Sequence, residues 1–362
     1  MSTKQPEQVS AQAQLPRQDH QLFTGYWCGI AALPTARQRR AINSFAELKS
    51  YWQKAGQPQL GAAERRSLER WYDAGGRVLF RWEADFPNAL RQIPDPPLAV
   101  FMQGDRAVLR QPRIAMVGSR AATPTGIGIA RSLAAQLSRA GVLVVSGLAQ
   151  GVDRAAHDGA LAMGRATLAI PGCGLANLYP RQHRGLAQAI LDCGGMLLSE
   201  YPPWVRARAG LFPARNRLIS GLAVGVLVVQ AAVRSGSLIT ARLAAEQGRE
   251  VMAVPGAPGS PVVAGCNQLL RDGAALIESA QDVFTVCGWT WPDTPPHSDP
   301  VSPQATGPTM QRVLDAIDSV PLTFDELLQH LGLTATELEA ALVQLELLGR
   351  AQRTPHGYIR LV

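Results

Sequence analysis

The chain has 362 residues, 46% of them hydrophobic and 17% charged, with a formal net charge of +7. That composition describes a folded protein with room for two or three domains and argues against intrinsic disorder. No apolar run reaches the roughly 18 residues that cross a bilayer, so no membrane partner is expected.

The five cysteines, Cys28, Cys173, Cys193, Cys266 and Cys287, are scattered and form no CxxC. They are expected to be buried free thiols, not a disulfide framework or a zinc site. The six histidines show no HExxH spacing, and no metal is expected. A basic chain favours a polyanionic partner. Residues 305–362 stand apart, with 4 basic and 7 acidic residues, whereas 111–304 carry 16 basic residues, all arginine, and 11 acidic ones. Arginine's planar fork suits phosphate and stacks on bases, although GC-rich coding also favours arginine over lysine.

Taken in chain order, residues 1–21 are polar and Gln-rich, without the apolar core of a signal peptide. They are expected to form a disordered tail, and the location to be cytoplasmic. Residues 22–76 have helical patterning and predict a small helical domain of three or four short helices, ending at Gly75-Gly76. From Arg77 to Asp105, short apolar runs alternate with prolines, which predicts a partly β segment packed against the next region of the chain. Residues 111–285 then repeat a strand, loop, helix rhythm. Strands are expected at 114–117, 142–145, 167–170, 196–199, 224–230 and 251–254, with helices at 126–140, 153–163, 181–192 and 237–247. Near-continuous apolar strands alternating with helices predict an α/β fold, an extended Rossmann-like doubly wound parallel sheet covered on both faces, over residues 77–287. Six prolines in 288–308 mark a linker. Helical stretches at 309–318, 323–331 and 334–348, followed by two short strands around Pro355-His356-Gly357, predict a C-terminal winged helix over 309–362.

Ligands of a doubly wound sheet bind beyond the C-terminal strand ends. Here those ends carry Gly118-Ser119-Arg120, Ser146-Gly147 running to Gly151 and Asp153, Pro171-Gly172-Cys173-Gly174, and Arg234-Ser235-Gly236-Ser237. Glycines let backbone approach a ligand, serines add hydroxyls, and several of these loops open helices whose N-termini favour anions. Together they predict a phosphate groove, although βα loops also need Gly and Ser simply to turn. The segment LFPARNRLIS (211–220) adds Arg215, Asn216 and Arg217 beside Phe212, a combination suited to single-stranded nucleic acid; Phe212 could equally be core. No GxxxxGK[ST] occurs, the first βα loop does not match GxGxxG, and the second strand ends in Ser146 instead of an acid. A Walker-type ATPase and an NAD enzyme are therefore disfavoured, and no cofactor is expected. Ser146, Asp153 and His157 lie close in sequence, but no GxSxG elbow surrounds a serine, so no catalytic residue is assigned.

Seven motifs occur in order: IAMVGSRAATPTGIGIA, VVSGLAQGVDRAAHDGAL, GCGLANLYP, LLSEYPP, FPARNRLISGLA, SGSLITARLAAEQGREVMAVPG and GCNQLLRDGA. Across roughly residues 86–285 this resembles the DNA-processing protein A family (DprA, also called Smf). The helical N-terminal segment (SAM-like) and the winged helix resemble accessory domains of its longer members. The resemblance implies a homodimeric, non-enzymatic protein that binds single-stranded DNA in natural transformation and helps load the RecA recombinase. It places Arg120, the Ser146–Gly147 loop and the segment with Phe212, Arg215, Asn216 and Arg217 on the strand. The family usually shows an acidic residue where this chain has Gln230. A phosphoribohydrolase on the same fold is the competing enzymatic reading; its PGGxGT pattern is not matched by PGCGLAN. A third reading is a regulatory winged-helix protein whose α/β core serves only to dimerise it.

Overall fold

A computed structural model describes residues 17–30, 41–292, 308–317, 322–347, 350–354 and 357–360. Most of the expected tail and linker, with Leu348, Pro355 and His356, lies outside the described residues. The chain divides into one unit through Pro292 and another from Asp293 onward.

Among the described residues the first unit opens with the helices α1 (Arg17–Ile30), α2 (Phe45–Lys54) and α3 (Ala62–Asp73). Helix α1 starts inside the stretch read as tail. Ser44 caps α2 by accepting from the Glu47 amide. These helices bury Trp27, Leu48, Trp52 and Trp71 in one cluster with Phe80, Phe101 and Leu197 of the sheet.

Among the described residues the sheet has nine strands in the order β1-β2-β6-β5-β4-β3-β7-β8-β9. The seven parallel ones are β3 (Arg113–Val117), β4 (Leu143–Ser146), β5 (Thr167–Ala169), β6 (Met196–Ser199), β7 (Gly225–Val228), β8 (Glu250–Ala253) and β9 (Ala275–Leu276). The proline-rich segment 77–105 supplies β1 (Arg77–Phe80) and β2 (Ala99–Gly104), and β2 adds antiparallel to β6.

Alternate residues of each strand face opposite layers. Ile114, Met116, Val144 and Leu227 pack under α5 (Pro124–Arg139), α6 (Val152–Ala162) and α11 (Ala280–Val286). Ala115, Val117, Val145 and Val226 pack under α8 (Leu211–Leu222), α9 (Ser237–Glu246) and α10 (Ala264–Arg271). The first unit also contains α4 (Asn88–Arg91) and α7 (Arg184–Asp192). Helix α5 starts where Thr123 accepts from the Gly126 amide and Pro124 takes the first turn.

The strand order reverses at β3. The chain builds outward through β4, β5 and β6, then returns to lay β7 on the other side of β3. The loops leaving β3 and β7 therefore diverge and open a crevice at the C-terminal edge of the sheet.

The second unit has α12 (Pro308–Ala316), α13 (Phe324–Leu331), α14 (Ala335–Leu347) and the hairpin β10 (Ala351–Thr354) with β11 (Gly357–Arg360). Its core is Val313, Leu314, Leu327, Leu338, Leu342 and Leu345. Thr323 and Thr334 cap their helices through reciprocal bonds with Glu326 and Glu337.

Candidate functional site

The crevice between the β3 and β7 loops widens into an open cleft of about 800 Å³. Nine of the thirteen residues expected to form the site line it: Gly118, Ser119, Arg120, Phe212, Arg215, Asn216, Ser235, Gly236 and Ser237. They come from the loops after β3 and β7 and the first turns of α8, so the topology brings together what the sequence spreads over more than a hundred positions.

Arg120 is exposed at the end of its loop. Its guanidinium carbon sits 5.0 Å from the centroid of the Phe212 ring, within reach of a cation–π attraction. Tyr179 also neighbours Phe212, with centroids 5.9 Å apart and ring planes tilted by 60°. Phe212 is only half-buried, so it belongs to the cleft wall and not to the core. Asn216 accepts from Arg215 Nε at 3.3 Å. Ser235 and Ser237 share a hydroxyl–hydroxyl bond of 2.7 Å where α9 begins.

Arg215 lies deeper. It is buried, and its Nη1 donates to the carbonyls of Gly147 (2.9 Å) and Ile170. Burial lowers its pKa to about 10, against the opposing pull of Asp153, so it stays cationic at neutral pH. Asp153 is the one carboxylate among the described residues that line the cleft. Its burial pushes its pKa up, while Arg215, the Ala149 N–H and Arg120 oppose the shift. The lining also holds Arg120 and Arg208, which leaves the cleft positive.

Four expected site residues do not line the cleft. Ser146 is fully buried and donates its hydroxyl to the Met116 carbonyl at 2.7 Å. A Cβ on Gly147 would come within 2.6 Å of Asp153 Oδ2 and 2.7 Å of Arg215 Nη2. Gly151 has φ +74°, and a Cβ there would strike the Ser119 carbonyl. These two glycines let loops and side chains pack against each other. The fourth is Arg217, whose side chain leaves α8 on the opposite side from the cleft. Its Nη2 meets Glu200 Oε1 at 2.6 Å, and its Nε meets Asp95 Oδ2 at 3.3 Å and the Asp95 carbonyl at 2.9 Å. In the structure it ties α8 to Glu200 and Asp95 and stands outside the cleft lining in which the sequence pattern places it.

Asp153 and His157 share helix α6 but face different partners. His157 Nδ1 is 2.9 Å from Thr167 Oγ1, whose hydroxyl donates to the Val144 carbonyl, so Nδ1 carries the proton. Burial, with His183 adding to it, lowers the His157 pKa to about 3. Arg234, expected beside the groove, is exposed but outside the lining.

Sequence reasoning missed Tyr179 and Arg208, which also line the cleft. Both were visible as an aromatic closing GCGLANLYP and an arginine in WVRARAG. What was not visible is that the Gly174 amide bonds the Val205 carbonyl, which brings the two loops together.

A doubly wound sheet with an arginine- and aromatic-lined cleft at its strand-order reversal defines a Rossmann-like protein whose cleft chemistry suits an anionic, ring-bearing ligand. The family model described as DNA recombination-mediator protein A matches residues 77–288, and that of the DprA winged helix domain matches 296–357. The chain belongs to the DprA family. Protein Smf of Escherichia coli (strain K12) is 38% identical over 306 residues, covering 82% of each chain. DNA processing protein DprA of Bacillus subtilis (strain 168) is 38% identical over 235 residues, 62% of this chain and 79% of that one. The X-ray structure of DprA from Streptococcus pneumoniae superposes with a TM-score of 0.58 at 32% identity, covering 74% of this chain and 92% of that one. A structure of DNA processing protein A from Helicobacter pylori, whose single-stranded DNA binding mode it describes, superposes with a TM-score of 0.53 at 32% identity, covering 58% and 94%. Among the described residues no helix is long and apolar enough to cross a membrane.

Proposed function

We propose that this chain binds single-stranded DNA in the switch-point cleft without altering it chemically. The observation that carries the reading is the Arg120–Phe212 pair beside Arg215, a phosphate-binding cation and a stacking ring in one open cleft. Single-strand binders combine those two elements, because every base has a face to stack and every linkage has a charge. The single-stranded DNA described for the Helicobacter pylori relative supports the same ligand class. Within the family resemblance, the protein acts as a cytoplasmic homodimer that protects incoming single strands in natural transformation and passes them to the RecA recombinase. Delivery requires the strand to remain intact, which is consistent with a cleft whose single lining carboxylate is held by the Ala149 amide.

The test is fluorescence anisotropy of a labelled single-stranded oligonucleotide, with unlabelled single strand and duplex as competitors. Single strand should displace the probe far better than duplex, with little dependence on base sequence. Equal competition by duplex overturns the reading. Incubation with nucleoside monophosphates covers the enzymatic alternative: release of free base would establish it. Sedimentation of the full chain tests the dimer, and strand exchange with added RecA on coated DNA tests the delivery step.

A further inference from the structure

The loop that carries Arg120 is held at both ends by one residue that follows another strand. Gln230 follows β7 and is buried. Its backbone carbonyl accepts from the Ser119 amide at 2.7 Å. Its side-chain Oε1 accepts from the Thr123 amide at 2.7 Å, and its Nε2 donates to Thr123 Oγ1 at 3.0 Å. The chemistry fixes the orientation of the amide group, since a backbone N–H must face an acceptor. Thr123 Oγ1 also accepts from the Gly126 amide as the cap of α5, so the bond network runs from β7 through the loop into a helix start. The Ser119 carbonyl is tied in turn to the Val152 amide of α6.

We propose that Gln230 is a positioning residue of the cleft, whose neutral side-chain amide fixes the Ser119–Thr123 loop, and hence Arg120, without placing a negative charge beside the bound phosphates. The assignment rests on the single-strand reading above. A carboxylate of the same shape could still accept from the Thr123 amide, with the Thr123 hydroxyl donating to its second oxygen. It would also set a negative charge at the α5 N-terminus, where the helix dipole and Arg120 otherwise act on an anion unopposed. Shape and charge are therefore separable at this position.

The experiment compares wild type, Gln230→Ala and Gln230→Glu as full chains, by oligonucleotide anisotropy and by hydrogen exchange of the Thr123 amide. Gln230→Ala removes the clamp: Thr123 exchange should quicken, and single-strand affinity should fall roughly three- to tenfold, the scale of one or two lost neutral hydrogen bonds. Gln230→Glu should keep Thr123 protected yet bind about tenfold more weakly at neutral pH and low salt, through the added charge. That deficit should close only at acidic pH, because the Thr123 bonds, the helix N-terminus and Arg120 favour the ionised carboxylate; once protonated, it mimics the amide. Arg120 and Asp153 are the charged groups at this loop, and the wild-type curve carries their titration. If wild type binds no oligonucleotide, the single-strand reading fails and this assignment with it. If wild type binds and both variants match it, or the Gln230→Glu deficit does not move with pH, the assignment alone is overturned.

Discussion

Arg215 and Arg217 stand two positions apart on α8, and their side chains leave the helix in different directions. Arg215 reaches under the cleft floor to the carbonyls of Gly147 and Ile170, whereas Arg217 turns back to Glu200 and Asp95. Position in a motif did not distinguish them; the helical rotation of about 100° per residue did. Their substitutions should therefore read differently. Arg120→Ala should weaken single-strand binding and make the slope of log K against log salt shallower by about 0.7, the share of one phosphate contact. Arg217→Ala should leave that slope alone and lower stability by about 3–5 kcal/mol, because it strands two carboxylates at a largely buried pair. Salt-titrated anisotropy and urea unfolding separate the two outcomes. An unchanged slope for Arg120→Ala at full folding would remove it from the phosphate path.

Six of the seven strands of the parallel sheet were legible in the sequence to within a residue or two, because a strand buried on both faces is an apolar run; β9, two residues long and half-exposed at the edge, carries no such run and was not expected. Helix α8 was not assigned. Its opening LFPARNR mixes a proline with charges, yet Pro213 lies in the first turn, where the missing N–H costs little. The antiparallel pairing of β2 with β6 was also invisible, since a local pattern does not name a partner far along the chain. Between elements, His157 joins α6 to β5 through Thr167. In the fold it stays neutral down to about pH 3, while in the unfolded chain it gains a proton near its ordinary value of about 6.5. Its folded pKa is depressed, so the stabilisation is present above about 6.5 and lost as pH falls toward 3, by up to roughly 1.4 kcal/mol per unit. His157→Asn cannot take up that proton, and its urea midpoint should fall less steeply between pH 6.5 and 5 than that of wild type. Parallel curves would show that the ring does not govern acid sensitivity.

For the whole molecule, the two units differ in the charge they present. The winged helix reads duplex DNA, where it does so, by laying its third helix in the major groove. Here that helix, α14, exposes Glu337, Glu339 and Glu346 and contains no basic residue. A chain ending at Pro292 should accordingly keep single-strand affinity within about threefold at physiological salt, as a net-negative unit contributes little to phosphate binding. A tenfold loss with the rest folded would assign the winged helix a direct share. The order of the strands in space has a further consequence, in time. The aromatic surface of α1 to α3 is covered by β1 and β2, and β2 docks only when Phe101 meets Ser199. As the chain leaves the ribosome, the part made first must wait for β6 before its tryptophans are shielded. In the interval between those two events the nascent chain carries uncovered aromatic surface and an unpaired strand edge, the two features that favour aggregation.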